Sequence, residues 1–159
     1  MIVWLTGQPG SGKTTLAKAL QRRLQETQFS EQEDKVVNID GDGLREVFAN
    51  LDYSRAGRLR NISSAILVAR WLDANGFFVI VSLVSPYRYQ REELKESNLV
   101  LEVYVHTTLE RGRESYFAEN YEPPTEDFLD LDTGAKNVDE CLYDIINGII
   151  NKQYPLSDL

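Results

Sequence analysis

The stretch Gly7-Gln8-Pro9-Gly10-Ser11-Gly12-Lys13-Thr14 constrains this chain more than any other. It fits G-x-x-x-x-G-K-[ST] at every fixed position, between the apolar run Ile2 to Thr6 and a helical pattern from Lys13 to Gln25. Strand, glycine-rich turn and helix, in that order, aim backbone N–H groups at phosphate oxygens. The helix N-terminus adds its partial positive charge. In such a loop Lys13 reaches the β- and γ-phosphates and the Thr14 hydroxyl holds Mg²⁺. The motif predicts an ATP-type site made by Gly7, Gln8, Pro9, Gly10, Ser11, Gly12, Lys13, Thr14 and the adjacent Thr15.

The rest of the chain fits around that loop. Strand-like runs at Val36 to Ile39, Phe77 to Val84, Leu99 to Val105 and Phe128 to Leu131 follow the first one. Helical patterns separate them: a short one at Gly43 to Ala49, then Leu59 to Asn75, a segment opened by Pro86, Thr107 to about Ala118, and Val138 to Asn151. Gly76 reads as the stop of the second of these, and Thr27 to Lys35 as a polar surface loop. Alternation of this kind predicts an α/β chain of the P-loop NTPase fold, a five-stranded parallel sheet with helices on both faces. Residues 1–159 read as a single domain, with ligands at the carboxyl ends of the strands.

Composition removes several function classes. With 17 basic and 25 acidic residues the net charge is −8, which argues against gripping nucleic acid. No apolar run approaches the ~20 residues of a membrane span. Met1 to Leu5 has no basic leader. A lone cysteine, Cys141, forbids an internal disulfide and suits a cytoplasmic setting. Cys141 reads as core, Trp4 and Trp71 as packing residues, His106 as a structural hydrogen-bonding group, and nothing has zinc-ligand spacing. A guanine-reading N-K-x-D is missing, because Asn151-Lys152 runs on to Gln153-Tyr154. The central strand ends Val81-Ser82-Leu83-Val84 without a metal-binding carboxylate, so another acid must serve.

Asp40-Gly41-Asp42 supplies it, at the end of the second strand. A carboxylate there can hold metal-bound water or take the proton of an attacking hydroxyl, and it can also cap the next helix. Asp40 is the metal candidate and Asp42 the catalytic one. Behind them, residues 45–70 hold five arginines against two acids in an acidic protein. That local positive field fits a small anionic acceptor. Tyr53, among the arginines, can stack on a base or ring.

These residues together resemble the adenylylsulfate kinase family. The resemblance rests on the phosphate loop, Ile39-Asp40-Gly41-Asp42 with Arg45, Tyr53-Ser54-Arg55-Ala56-Gly57-Arg58-Leu59-Arg60-Asn61-Ile62, and Val81-Ser82-Leu83-Val84-Ser85-Pro86-Tyr87-Arg88. It implies an ATP- and Mg²⁺-dependent kinase acting on the 3′-hydroxyl of adenosine 5′-phosphosulfate, in sulfate assimilation. It also implies roles. Lys13 and Asp42 are catalytic, and Thr14 and Asp40 face the metal. Asp42, Arg45, Tyr53, Arg58, Asn61, Val84 and Ser85 hold a nucleotide-like acceptor, and Thr133, in Asp132-Thr133-Gly134, lies near the ATP base. A homodimer is in keeping with the family, although no segment identifies an interface.

The chain departs from the family pattern at three places. Gly43 stands where the family has asparagine, and Gly57 where it has aspartate. The region at about 107–127 is shortened and loses the family's basic lid segment, with a lid lysine and a second aromatic. Residues 119–132 carry six acids and no base instead. Arg111 or Arg113 is the candidate to restore lid charge. These departures keep other readings open: a related kinase for another nucleotide derivative or small anionic metabolite (a shikimate- or gluconate-type kinase among them), or a nucleotide-binding regulatory protein without turnover.

Overall fold

Five short strands pair side by side, all parallel, in the order β2-β3-β1-β4-β5. They are β1 (Ile2–Thr6), β2 (Val36–Asp40), β3 (Phe78–Ser82), β4 (Val100–His106) and β5 (Phe128–Asp132). A computed structural model describes residues 1–26 and 35–153, so the expected loop at 27–35 lies, except for Lys35, outside the described residues. The helices are α1 (Lys13–Glu26), α2 (Gly41–Val47), α3 (Arg55–Ala74), α4 (Arg88–Ser97) and α5 (Val138–Gln153).

Alternation along the strands divides the interior into two cores. Ile2, Trp4, Val79, Val81 and Val100 point to one face, against Leu44 of α2, Ile62, Ala65, Ile66, Ala69 and Leu72 of α3, and Leu94 of α4. Val3, Leu5, Ile80, Leu101, Val103 and Val105 point to the other, against Leu16, Ala17 and Leu20 of α1 and Cys141, Ile145 and Ile149 of α5. Within the apolar pattern of the strands a buried charge stands out: Glu102, only 1% exposed, occupies a slot on the face covered by α4.

Helix ends follow local chemistry. Asp40 caps α2 by accepting from the N–H groups of Asp42 and Gly43, which starts the helix at Gly41 rather than Gly43. Ser54 caps α3 through Gly57 N, so that helix begins at Arg55 instead of Leu59. Its other end closes as expected at Gly76, φ +81°, where Gly76 N bonds Asp73 O and Phe77 N bonds Leu72 O.

Two expectations are corrected. Residues 107–118 form no α-helix, only a 3-10 turn at Glu114–Tyr116. The Thr107 hydroxyl accepts from Leu109 N, Gly112 sits at φ +71°, and the Arg111 side chain reaches across to Gly10 and Thr133. These bonds outcompete the helix ladder. Trp71 is 65% exposed on the outer side of α3, because the core-facing positions of that helix are taken by Ala65, Ile66, Ala69 and Leu72. Trp4 is buried, as expected.

Candidate active site

The loop between β1 and α1 wraps back on itself as its glycines require. At Gly7, φ +146°, a Cβ would lie 2.0 Å from the Val105 carbonyl, so no other residue fits. Lys13 is 8% exposed, and its ammonium donates to Gln8 O at 2.8 Å and Ser11 Oγ at 3.3 Å. Burial lowers its pKa to about 8, against the opposing pull of Asp40 and Asp42. Thr14 Oγ1 donates to Asp40 Oδ1 at 3.3 Å, and Ser82 Oγ donates to the same oxygen at 3.3 Å. Asp40 therefore caps α2 with one oxygen and faces the Thr14 hydroxyl with the other.

From this loop a cavity of about 860 Å³ runs along the carboxyl ends of the strands. Of the residues expected from sequence, Pro9, Gly10, Gly12, Lys13, Thr14, Thr15, Asp40, Asp42, Arg45, Tyr53, Arg58, Asn61, Val84 and Ser85 all line it. Gly7, Gln8, Ser11 and Thr133 do not. Gln8 turns its amide outward to Ala118, donating to its carbonyl at 3.1 Å and accepting its N–H at 2.8 Å. Thr133 donates to Ser11 O at 2.7 Å, behind the loop.

At the far end, α2 and α3 bring the arginines together. Arg45 is buried, and its Nη1 donates to Asn50 O and Asp52 O at 3.0 and 2.9 Å. Its guanidinium sits 4.3 Å from the Tyr53 ring centroid. Arg58 Nε holds Tyr53 O at 3.0 Å. These contacts order the loop that presents Tyr53, which is 59% exposed. Asn61 is 5% exposed and donates to Gly41 O, while its Oδ1 has no hydrogen-bond partner among the described residues. An orphaned acceptor in a cavity wall is a place where a ligand donor lowers the free energy.

The Gly57 departure has a steric cause. A Cβ there would stand 2.0 Å from Asp52 O and 2.5 Å from the Asp52 carboxyl carbon. Asp52 fills the space with its own carboxylate, which accepts from Ser54 N at 2.8 Å and pairs with Arg60 at 2.8 Å. Those Ser54 hydrogen bonds and the Arg60 charge hold it below the usual carboxylate range. At Gly43, by contrast, a Cβ would meet nothing within 4 Å.

The loop after β4 closes the remaining side. Arg111 donates to Gly10 O at 3.2 Å and Thr133 O at 2.8 Å. Arg113 packs its Cβ against Gly10 and holds its guanidinium 5.9 Å from the Tyr116 ring centroid. Tyr116 and Phe117, 63% and 45% exposed, line the cavity too. Sequence reasoning missed both, although an aromatic pair two residues beyond Arg111-Gly112-Arg113 is a readable signal.

A P-loop, an acid at the second strand and an arginine-rich wall on one cavity describe a phosphotransferase. The adenylylsulphate kinase family profile matches residues 1–132. The chain belongs to that family. An adenylyl-sulfate kinase of Chloroflexus aurantiacus is 36% identical over 89% of this chain and 84% of its own length. The Mycobacterium tuberculosis APS kinase, solved in complex with AMPPNP and APS, superposes with a TM-score of 0.79 at 26% identity, over 93% of this chain and 96% of that one. A cytidine diphosphoramidate kinase of Campylobacter jejuni is 32% identical over 73% of this chain and 68% of its own length. Among the described residues, no helix is long and apolar enough to cross a membrane.

Proposed function

We propose that this chain transfers the γ-phosphoryl group of ATP to the 3′-hydroxyl of adenosine 5′-phosphosulfate. One observation carries the reading: a single cavity joins Lys13 and Thr14 to Asp42, Tyr53, Arg58 and the unpartnered oxygen of Asn61. The phosphate loop holds the triphosphate, with Lys13 on its outer phosphates. Tyr53 stacks on the acceptor base, Arg58 and Asn61 bind the acceptor's polar groups, and Arg45 braces Tyr53 from behind. The acceptor oxygen bonds to the γ-phosphorus as the bond to the β–γ bridging oxygen breaks. Asp42 takes the hydroxyl proton and ADP departs. Positioning and charge neutralisation supply most of the acceleration.

The donor set suits Mg²⁺. Thr14 and Asp40 offer two oxygens, and the described residues hold no cluster of three or more acidic, histidine or cysteine ligands. Magnesium at nucleotide sites is held mainly by phosphates and water with one or two protein ligands. When bound, it neutralises charge on the transferred group.

A second reading shares the chemistry but changes the acceptor to another nucleotide derivative. The Campylobacter relative's name favours it. Coupled ADP release with adenosine 5′-phosphosulfate and with cytidine diphosphoramidate separates the two. Faster turnover of the first supports the main reading, and of the second its rival.

A further inference from the structure

Glu102 needs an explanation the catalytic chemistry does not give. It lies on β4 at a core-facing position, opposite Trp4 of β1, and is 1% exposed. A carboxylate there persists only if strongly paired. Its partners come from α4: Arg91 Nε at 2.6 Å and Lys95 at 2.8 Å. Arg91 is itself 2% exposed, and its other two nitrogens leave the pair. Nη1 donates to Ser85 O, and Nη2 donates to Glu122 O at 2.6 Å.

Those two carbonyls belong to segments far apart in sequence, of which only Ser85 lines the cavity. Ser85 lies in the acceptor-side turn after β3, at φ +43°, a conformation that a non-glycine residue keeps only when its surroundings enforce it. Trp4 Nε1 donates to its Oγ at 3.2 Å, and Thr6 Oγ1 donates to Val84 O at 2.9 Å. Glu122 lies in the segment that replaces the family's basic lid. That segment is fastened at Glu122 and Pro123 to the turn, and at Tyr121 to β1. Glu122 N donates to Pro86 O at 2.9 Å, Arg88 N to Glu122 Oε2 at 2.7 Å, and Arg88 Nε to Pro123 O at 2.9 Å. The Tyr121 hydroxyl meets Thr6 Oγ1 at 2.8 Å, and its ring stacks on Tyr104.

We infer that Arg91, anchored by Glu102, is a positioning residue that locks the cavity-lining Ser85 turn against the 118–123 segment behind it and so fixes one wall of the acceptor site. It acts through the shape of that wall and touches no substrate. The functional part of this inference rests on the phosphotransferase reading above.

The test compares Arg91→Lys, which keeps the charge beside Glu102 but loses the three-way fork, and the milder Glu102→Gln. Ile149→Val, on the opposite core, is the control for general destabilisation. Amide exchange is followed in all three, together with KM for acceptor and for ATP. The expected result for Arg91→Lys is exchange at 85–88 and 118–123 faster by about tenfold or more, since charged hydrogen bonds of that size are lost. Exchange in 2–6 should be unchanged. Acceptor KM rises by a similar factor while ATP KM stays within about twofold, and Glu102→Gln moves the same way by less. Unchanged exchange at 85–88 and 118–123, or a parallel rise of both KM values, overturns the inference. If the wild-type protein turns over neither acceptor, the functional reading fails, and the exchange result alone decides whether Arg91 positions the wall.

Discussion

At one end of the cavity lies the proposed phosphate site, whose residues all come from one consecutive stretch, Gly7 to Thr14. At the other lies the proposed acceptor site, lined by side chains from α2, α3, the turn after β3 and the loop after β4. The first end depends on local conformation and on Lys13. The second depends on packing that can be retuned one contact at a time. A fold built this way can keep its donor and change its acceptor. The family match beside a relative named for a cytidine acceptor agrees with that division.

The sharpest way to break the comparison is at Asp42, where the two ends meet. Asp42→Asn should lower kcat by roughly 10²–10⁴, the usual worth of a positioned acid or base, with ATP binding by calorimetry unchanged. Next comes Gly57→Asp, which restores the family's residue. Its Cβ would clash with the Asp52 carbonyl, so unfolding should show a loss of about 1–3 kcal/mol. A gain in stability would mean that Asp52 does not own that space. Arg113→Ala should cut kcat by about ten- to a hundredfold, the size of a charged hydrogen bond to a phosphoryl oxygen, at unchanged melting temperature.

The smallest effect is set by pH at the donor end. Lys13 has a pKa of about 8 in the ligand-free protein against an ordinary 10.5. Between those values the unfolded chain binds the extra proton, so ligand-free stability rises with pH across that window. Phosphate binding wants the proton on. ATP affinity should therefore hold steady below pH 8 and weaken above it by up to about tenfold per unit, measured by calorimetry. Acceptor binding should not follow this titration.

The same contrast explains what could be read from the sequence. All five strands and the phosphate loop were legible because apolar runs, glycines and a capping acid are local signals. Asp42, Tyr53, Arg58 and Asn61 were legible as a set through the resemblance to the adenylylsulfate kinase motifs, and they do share one cavity. The helix expected at 107–118 was not there, because Arg111 bonds to Gly10 and Thr133, far away in sequence. Gln8 and Thr133 took structural bonds for the same reason. Tyr116 and Phe117 line the cavity next to Ala118, which Gln8 anchors; the aromatic pair was readable, but that long-range bond was not. The Asp52 substitution for an aspartate at 57 also needed coordinates, since only the fold brings the Asp52 carboxylate into the space beside position 57.

The most direct test is ADP release with Mg·ATP, with and without adenosine 5′-phosphosulfate, using Lys13→Ala as the blank. The account predicts acceptor-dependent turnover that Lys13→Ala abolishes. Tight ATP binding with no acceptor-dependent release would contradict it.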